Sequence, residues 1–440
     1  MDLGQRIVIA EVRMWGRTIG AVSIEDDQDY ATFQFTPEFA GSNIQVSPVT
    51  MPLRPEGYEF PELPRATFHG LPGMLADSLP DRFGNALIDA WLATEGRKPE
   101  SFSAIDRLCY TGTRGMGALE YAPALGPKPK RLTKVNVDAL VRLASEVLTH
   151  RQNLEGHFAD QSRGKALADI LQVGTSAGGA RAKAVIAWNR KTNEVRSGQL
   201  PAGPGFTYWL LKFDGVAGNK DKELEDPQGY GAIEYAYALM AQAAGVAMAE
   251  CQLLEESGRR HFMTRRFDRS DDGSKLHMQS LGALAHLDYN QAGAYAYEQA
   301  FLTIRQLELP MAAIEEQFRR MLFNVVARNQ DDHVKNIAFL MNKEGDWSLS
   351  PAFDMTYSYN PSGSWTATHQ MTINGKRDGF DLADIRAAAK SAGLKQGRAN
   401  ALLEEVATHV ARWPEFAARA GLSDDMTERI RTAHRLHLRS

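Results

Sequence analysis

Apolar and polar residues alternate with a period of two at the start of the chain. The runs 7–15 and 18–24 flank Gly16-Arg17, which predicts a hairpin turn, and 31–35 alternates like a half-buried strand. The last 60 residues are rich in Ala, Arg, Glu and Leu, a composition typical of helices. We therefore expect strands at the beginning of the chain and helices at its end.

The middle of the chain mixes the two patterns. Apolar residues between 314 and 326 recur on one face of a helix, and the segment Leu79-Pro80-Asp81 is a helix start signal. Further helices are predicted at 85–95, 137–149, 165–171 and 231–244, and further strands at 183–189, 207–213, 250–255 and 260–267.

These elements predict an α+β fold in three parts. The segment 123–132 is basic and rich in proline, which makes it the best candidate for a linker. It follows a β-rich N-terminal subdomain at 1–125 and precedes an αβ lobe at 133–270. The third part, 271–440, is expected to be mainly helical.

Composition narrows the class of protein. Of 440 residues, 43% are hydrophobic and 24% are charged, as in ordinary globular proteins. The net charge of −4 argues against a protein that coats nucleic acid. The two cysteines, Cys109 and Cys251, form no C-x-x-C motif, which favours a reducing compartment. With no signal peptide and no membrane-spanning run in the sequence, we expect a cytoplasmic protein that does not contact a membrane.

The most informative stretch is D-D-H-V-K-N at 331–336. It follows the predicted helix and leads through two short strands to Asp354. A carboxylate, an Asn five residues later and an Asp beyond a hairpin are typical of phosphoryl transfer. In that chemistry Asp331 orients a hydroxyl nucleophile, while Asn336 and Asp354 hold Mg²⁺ through hard oxygen ligands. Alternatively, these residues form only a helix cap and a turn.

A lysine and a glutamate upstream favour the first interpretation. Lys212 ends an apolar strand, and Glu234 follows in the first turn of the next predicted helix. A strand Lys paired with a helix Glu is the device by which kinases fix the phosphates of ATP. An edge lysine and a glutamate that complements its helix dipole are the alternatives.

A Gly-rich loop at 174–183 precedes both of these regions in the sequence. Its small residues suit a phosphate cradle, but it is neither a Walker A box nor a standard kinase loop, and an ordinary surface loop is the alternative. The candidate nucleotide-binding residues are Gly174, Ser176, Ala177, Gly178, Gly179 and Lys183. A second set of glycines, Gly112, Gly115 and Gly117, is interpreted as turn residues.

In their combined order, these motifs resemble the HipA family of serine/threonine kinases, the toxins of bacterial toxin–antitoxin pairs. The resemblance covers nearly the whole chain and implies a protein-kinase-like two-lobed fold. It implies a β-rich N-terminal subdomain, a nucleotide-binding lobe and an all-α lobe with the catalytic and metal loops. The motifs are F-H-G-L-P-G-M-L-A-D-S-L-P-D-R at 68–82, T-S-A-G-G-A-R-A-K at 175–183, L-L-K at 210–212, I-E-Y at 233–235, R-R-F-D-R at 265–269, D-D-H-V-K-N at 331–336 and P-A-F-D at 351–354.

The resemblance implies a role for each matching residue. Asp331 would be the catalytic Asp, with His333 beside it in the loop. Asn336 and Asp354 would bind Mg²⁺, and Lys212 would contact the phosphates of ATP.

Other implied roles concern the hinge and regulation. Arg265, Arg266 and Phe267 would line the adenine side, and Ser176 matches a serine whose autophosphorylation ejects the Gly-rich loop. Two positions depart from the expected pattern: Asp332 adds a charge beside Asp331, and Arg265 replaces an acidic residue.

The resemblance also implies partners. Family members phosphorylate a translation component, glutamyl-tRNA synthetase in the best-known case, and are held by a helix-turn-helix antitoxin of HipB type. No helix-turn-helix pattern stands out in this chain, so DNA would be contacted only through the antitoxin. A small-molecule phosphotransferase and a kinase-like scaffold that docks an antitoxin–DNA complex remain as alternatives.

Overall fold

The computed structural model describes most of the chain. The described residues are 8–25, 28–125, 135–149, 170–171, 181–199, 202–216, 220–221, 224–225 and 229–438. The chain divides into two compact units. Unit 1 comprises Met1–Gln228, Leu254–Gln279 and Leu340–Asp346, and unit 2 comprises Gly229–Leu253, Ser280–Phe339 and Trp347–Ser440.

Unit 1 contains two larger sheets and one two-stranded sheet. The strands of these sheets are β1 (Ile9–Met14), β2 (Arg17–Ser23), β3 (Thr32–Phe35), β4 (Leu119–Ala122), β5 (Lys183–Asn189), β6 (Glu194–Ser197), β7 (Thr207–Lys212), β8 (Lys220–Asp221), β9 (Leu224–Glu225), β10 (Cys251–Glu256) and β11 (Arg259–Arg265). Of β10, the residues from Leu254 onward belong to unit 1. Strands β8 and β9 pair with each other. The first sheet has the order β3-β2-β1-β4 and the second has the order β10-β11-β7-β5-β6.

The predicted hairpin at the start of the chain is confirmed, but its turn lies one residue earlier than the predicted Gly16-Arg17, because Arg17 is already paired with Met14 across β1 and β2. Trp15 and Gly16 form its turn, with φ angles of 50° and 78°. Positive φ at both positions is the geometry that joins two antiparallel strands by a two-residue loop. Alternate residues of β1 are buried, as the sequence pattern predicts for a strand with one exposed face.

Helices cover the second sheet of unit 1. Buried residues of two of these helices, such as Leu87 and Leu140, form one core cluster with Ile186, Trp209 and Met263 of the sheet. The helices are α1 (Pro37–Ala40), α2 (Arg65–Phe68), α3 (Gly73–Ala76), α4 (Arg82–Thr94), α5 (Ala104–Thr111) and α6 (Val137–Thr149), with a 3-10 turn at Pro99–Ser101.

Unit 2 is mainly helical. Its helices are α7 (Tyr230–Ala243), α8 (Leu281–Leu284), α9 (Tyr297–Gln306), α10 (Met311–Ala327), α11 (Leu382–Ser391), α12 (Gln396–Val410), α13 (Trp413–Arg419) and α14 (Asp424–Ala433), with 3-10 turns at Val334–Asn336 and Leu436–Leu438. Three short strands in the second half of the chain are β12 (His277–Ser280), β13 (Ala338–Met341) and β14 (Trp347–Leu349). The predicted apolar face of α10 is confirmed, because all six of its residues are buried: Ile314, Phe318, Met321, Leu322, Val325 and Val326.

Most predicted boundaries agree with the structure to within a few residues. One position was wrong: Glu234 lies in the second turn of α7, because the helix already begins at Tyr230. Most of the predicted linker 123–132 and of the predicted helix 165–171 lies outside the described residues. No helix in the described ranges has the length and apolar character needed to cross a membrane.

Candidate functional site

Two strand lysines stand opposite each other in unit 1. Lys183 on β5 is directly opposite Lys212 on β7, and Phe262 on β11 is opposite Lys212 on the other side. Directly opposed residues point to the same face of a sheet. The Nζ atom of Lys212 lies 5.7 Å from the centroid of the Phe262 ring. The residue predicted to contact phosphate is therefore half-buried beside a second cation and an aromatic ring.

Lys183 has its charge balanced inside unit 1. Its side chain is 1% exposed, and its Nζ lies 3.0 Å from Oδ2 of Asp81. Asp81 also caps α4, because its Oδ1 accepts a hydrogen bond of 2.7 Å from the backbone N–H of Gly84. This ion pair ties the start of β5 to the start of α4. The nucleotide-binding role of Lys183 stays a prediction.

The three residues at the end of β11 have different surroundings. Arg265 makes an exposed ion pair of 2.6 Å with Asp271. Arg266 is buried, and its guanidinium binds the carboxylate of Asp268 at 2.6 and 2.9 Å. Phe267 is half-buried. The adenine-side role of 265–267 is untested, and the guanidinium of Arg266 holds the local structure.

Most of the Gly-rich loop lies outside the described residues. This applies to five of the candidate nucleotide-binding positions: Gly174, Ser176, Ala177, Gly178 and Gly179.

The D-D-H-V-K-N motif of unit 2 folds back on itself. The backbone oxygen of Asp331 accepts hydrogen bonds from the backbone N–H of His333 at 3.0 Å and from Nδ2 of Asn336 at 2.9 Å. His333 precedes the 3-10 turn Val334–Asn336, and its ring lies 5.8 Å from that of Tyr289. The structure thus brings Asp331, His333 and Asn336 together, as the motif spacing predicts.

The carboxylate of Asp331 is oriented by a residue that the sequence analysis missed. Nε1 of Trp365 donates a hydrogen bond of 2.7 Å to Oδ1 of Asp331. This bond directs one of the two carboxylate oxygens, each of which can accept more than one hydrogen bond. Trp365 lies 34 residues from Asp331 in a segment without helix or strand, where no periodicity marks it.

The segment that carries Asp354 is fixed from both sides. Arg320 on α10 donates to the carbonyl oxygen of Ser350 at 2.8 Å, and the N–H of Ala352 donates to the oxygen of Ala247 at 2.8 Å. Asp354 itself has a φ of 52°, which is uncommon for a residue other than glycine. Its backbone oxygen accepts a hydrogen bond of 3.3 Å from Nδ2 of Asn329.

The candidate metal ligands fit Mg²⁺ by the chemistry of their atoms. The Asn336 amide nitrogen donates to the backbone of its own loop, so its amide oxygen is the atom that could act as a metal ligand. Asp354 supplies a half-buried carboxylate. Among the described residues, no group of three or more His, Cys, Asp or Glu could hold a metal. Mg²⁺ does not need such a group, since it usually takes one or two protein carboxylates together with substrate phosphates and water.

The remaining predicted residue, Glu234, is buried in α7 at 2% exposure. Asp332, which the sequence analysis treated as an added charge beside Asp331, is also buried, at 3% exposure. Its carboxylate accepts hydrogen bonds from Tyr297, His369 and Gln370. The second aspartate therefore belongs to the interior of unit 2.

Two protein-family models match this chain, one near its beginning and one over most of the rest. The model of the HipA N-terminal domain matches residues 10–122, and the model of the HipA-like C-terminal domain matches residues 175–413. The second match alone covers more than half of the chain. A putative kinase of Haemophilus influenzae is 32% identical over 101 residues, which are 21% of this chain and 29% of that protein. The chain thus matches less than a third of the length of this relative.

One solved structure has a similar fold over nearly the whole length of this chain. HipA of Shewanella oneidensis, solved with HipB and its operator DNA, superposes with a TM-score of 0.67 at 18% identity, covering 98% of this chain and 96% of that chain. The Helicobacter pylori proinflammatory kinase CtkA covers 53% of this chain and 89% of its own, at 10% identity and a TM-score of 0.33, too low to indicate a shared fold.

The likeness to the Shewanella protein confirms the predicted fold class, a kinase-like fold with a β-rich N-terminal part and a helical C-terminal part. Together with the family models for both parts, it confirms the resemblance seen in the sequence. The chain belongs to the HipA family.

Proposed function

We propose that this protein is a Mg²⁺- and ATP-dependent serine/threonine protein kinase. The observation that carries the proposal is the folded-back loop of unit 2. Its Asp331 carboxylate is oriented by Trp365, and its Asn336 amide is locked to the loop backbone. A helix cap needs neither contact, whereas phosphoryl transfer depends on positioning of this kind.

Each residue then has a defined task. Asp331 accepts the hydrogen bond of the acceptor hydroxyl and takes up its proton as the phosphoryl group is transferred. Asn336 and Asp354 hold Mg²⁺, which when bound neutralises charge on the phosphates. Lys212 and the Gly-rich loop bind those phosphates, and 265–267 contact the adenine.

The biological setting follows by likeness to the Shewanella complex, which contains HipB and operator DNA. We propose that this chain is the toxin of a toxin–antitoxin pair, bound by a HipB-like antitoxin, and that it meets DNA only through that partner. Its substrate would be a translation component such as glutamyl-tRNA synthetase. Ser176 would be an autophosphorylation site.

Incubation of the purified protein with Mg²⁺ and γ-labelled ATP tests the kinase proposal. We expect one phosphate on the peptide that contains Ser176, located by intact and peptide mass analysis. Asp331→Asn keeps the shape of the side chain but removes the base, so the labelling rate should fall by roughly 10²–10⁴-fold. Asp346→Asn is the matched control, because Asp346 is an exposed turn residue whose carboxylate bonds Asn342.

The alternatives give different results. Equal labelling in Asp331→Asn and the parent protein would contradict the assignment of Asp331. Transfer to a small metabolite but to no protein acceptor would indicate a small-molecule phosphotransferase. Absence of ATP binding and of any transfer, with retained antitoxin binding, would indicate a docking scaffold.

A further inference from the structure

The carboxylate of Asp332 is bound by three donors, one on α9 and two in the segment 369–370 of unit 2. Its Oδ2 lies 2.7 Å from the hydroxyl of Tyr297 on α9 and 2.7 Å from Nδ1 of His369. Its Oδ1 accepts a hydrogen bond of 2.8 Å from the backbone N–H of Gln370. A buried charge is costly unless donors surround it, and here every donor comes from outside the catalytic loop.

A contact with arginine settles the tautomer of His369. Nη1 of Arg435 lies 2.8 Å from Nε2 of His369. Arginine can only donate, so Nε2 is the acceptor and the ring proton is on Nδ1, where it is donated to Asp332. Arg435 is itself held by the carboxylate of Asp378 and by the backbone oxygen of Val325. The C-terminal segment of the chain thus supports the hydrogen bond from His369 to Asp332.

A second chain of hydrogen bonds leads from Asp332 to Asp354. Burial and the charge of Asp332 raise the pKa of Tyr297 well above its ordinary value, so the phenol keeps the proton that it donates. The Tyr297 oxygen accepts from Nδ2 of Asn324 at 2.9 Å. Nδ2 of Asn329 then donates to Oδ1 of Asn324 at 2.9 Å and to the backbone oxygen of Asp354 at 3.3 Å.

We propose that Asp332 is a positioning residue for phosphoryl transfer. It touches no reacting atom. It holds the backbone of Asp331, its chain neighbour, and through Tyr297 and two asparagines it holds the backbone of Asp354. This inference rests on the proposed function, because it assigns Asp332 to the same site.

The physical reason is that catalytic groups must be held to a fraction of an ångström. A displacement of about 1 Å costs roughly 10²-fold in rate. Without the Asp332 carboxylate, the donors of Tyr297, His369 and Gln370 lose their common acceptor. The loop that carries Asp331 then loses three links to the interior, while the groups that bind ATP are unchanged.

Asp332→Asn tests the proposal, with Asp384→Asn as the matched control. Asp384 is a buried carboxylate of the same unit, and it also accepts hydrogen bonds from three residues, Asn374, Lys376 and Asp381. Both substitutions remove one buried charge and keep the side-chain shape. We expect Asp332→Asn to lower kcat by roughly 10²-fold while the KM for ATP changes less than about 3-fold. Asp384→Asn should lower the melting temperature comparably and leave kcat near that of the parent.

Equal kcat in the two variants would overturn the proposal, since it would leave Asp332 only a structural role. If Asp332→Asn does not fold, Tyr297→Phe replaces it, because it removes one donor and no charge. We then expect kcat to fall by about 10-fold with the KM for ATP retained, and an unchanged kcat would overturn the proposal equally.

A spectroscopic measurement separates this inference from the proposed function. With 5-fluorotryptophan incorporated, the ¹⁹F resonance of Trp365 is assigned by its loss in Trp365→Phe. Trp365 donates to Asp331, so it reports the position of that carboxylate without any turnover. We expect Tyr297→Phe to shift this resonance and Asp384→Asn to leave it in place.

A shift of the Trp365 resonance in a protein without kinase activity would support the positioning role and refute the proposed kinase function. An unmoved resonance would refute the positioning role.

Discussion

Asp268 carries a negative charge in the interior of unit 1. Its Oδ2 lies 2.6 Å from Nη2 of Arg266 and 3.3 Å from Nη1 of Arg269, and it accepts a hydrogen bond of 2.7 Å from the N–H of Gly117. Burial alone would raise the pKa of Asp268, but the two guanidinium groups and these hydrogen bonds hold it at about 2. The motif R-R-F-D-R thus builds a compact ion cluster at the end of β11.

Replacement of Asp268 should destabilise unit 1 strongly. Asp268→Asn leaves the buried guanidinium groups of Arg266 and Arg269 without their counter-charge, which costs about 3–5 kcal/mol of unfolding free energy. Urea unfolding followed by circular dichroism measures the difference. The control is Asp271→Asn, because the Asp271–Arg265 pair is exposed and should contribute less than about 1 kcal/mol. Equal losses in the two variants would contradict the role of the buried cluster.

At the scale of elements, the loop that leads into β4 is held by the same cluster. The backbone oxygen of Gly115 accepts hydrogen bonds from Arg266 at 3.4 Å and from Arg269 at 3.1 Å. The oxygen of Gly117 accepts from Arg269 at 2.9 Å. The loop can approach so closely because Gly117 has a φ of 73° and no side chain.

Gly117→Ala should therefore cost more than conformational strain alone. A Cβ at this position would lie 2.9 Å from the backbone nitrogen of Met278, which cannot move aside as a side chain would. Gly258 is the matched control, with a φ of 75° and no atom within 4 Å of its added Cβ. We expect Gly258→Ala to lower the free energy of unfolding by about 1 kcal/mol and Gly117→Ala to lower it by at least about 1 kcal/mol more, as measured by urea unfolding. Equal costs would show that the close approach is unimportant.

Sequence patterns predicted those elements whose burial is regular along the chain. Strand β5 at Lys183–Asn189 and helix α6 at Val137–Thr149 have the predicted bounds, since a continuous apolar run and an amphipathic period are both local signals. Helix α4 begins one residue after Asp81, whose side chain caps it as the start signal predicts. Glu234 was misplaced because no local signal fixed the first residue of α7.

The candidate site was predictable only in part. The spacing of Asp331, His333 and Asn336 is local, and the structure joins these residues in one turn. Trp365 and His369 could not be found, because they reach Asp331 and Asp332 from a segment with no regular element to give it a period. Asp332 was seen as an added charge, since its donors are distant in the chain.

At the scale of the whole molecule, buried histidines couple stability to pH. His261 and His277 in unit 1 and His434 in unit 2 are all buried. Burial lowers the pKa of His261 and of His277 to about 4 and that of His434 to about 3, against an ordinary value of 6.5. Each histidine is therefore neutral in the folded chain down to about pH 4.

The sign of the pH effect follows from proton uptake. As the pH falls below 6.5, these histidines bind protons in the unfolded chain, whereas in the folded chain His261 and His277 stay neutral until about pH 4. The free energy of unfolding therefore decreases as the pH falls across this window. Each histidine contributes up to about 1.4 kcal/mol per pH unit. Asp268 affects stability at lower pH. Because its pKa is depressed in the folded chain, its carboxylate stabilises the fold above pH 3.8, and this contribution is lost as the pH falls toward 2.

Urea unfolding at about pH 8, 7, 6, 5.5 and 4.5 tests this coupling. We expect a nearly constant unfolding free energy between pH 8 and 7 and a steep fall below about pH 6. His277→Gln keeps a donor for the backbone oxygen of Val46, which lies 3.2 Å from Nε2 of His277, but cannot titrate. Below pH 6, the unfolding free energy of this variant should change less steeply with pH than that of the parent, by up to about 1.4 kcal/mol per pH unit. The difference between the two proteins should be constant at higher pH. An identical slope would mean that His277 takes up its proton in the folded chain, which its complete burial opposes.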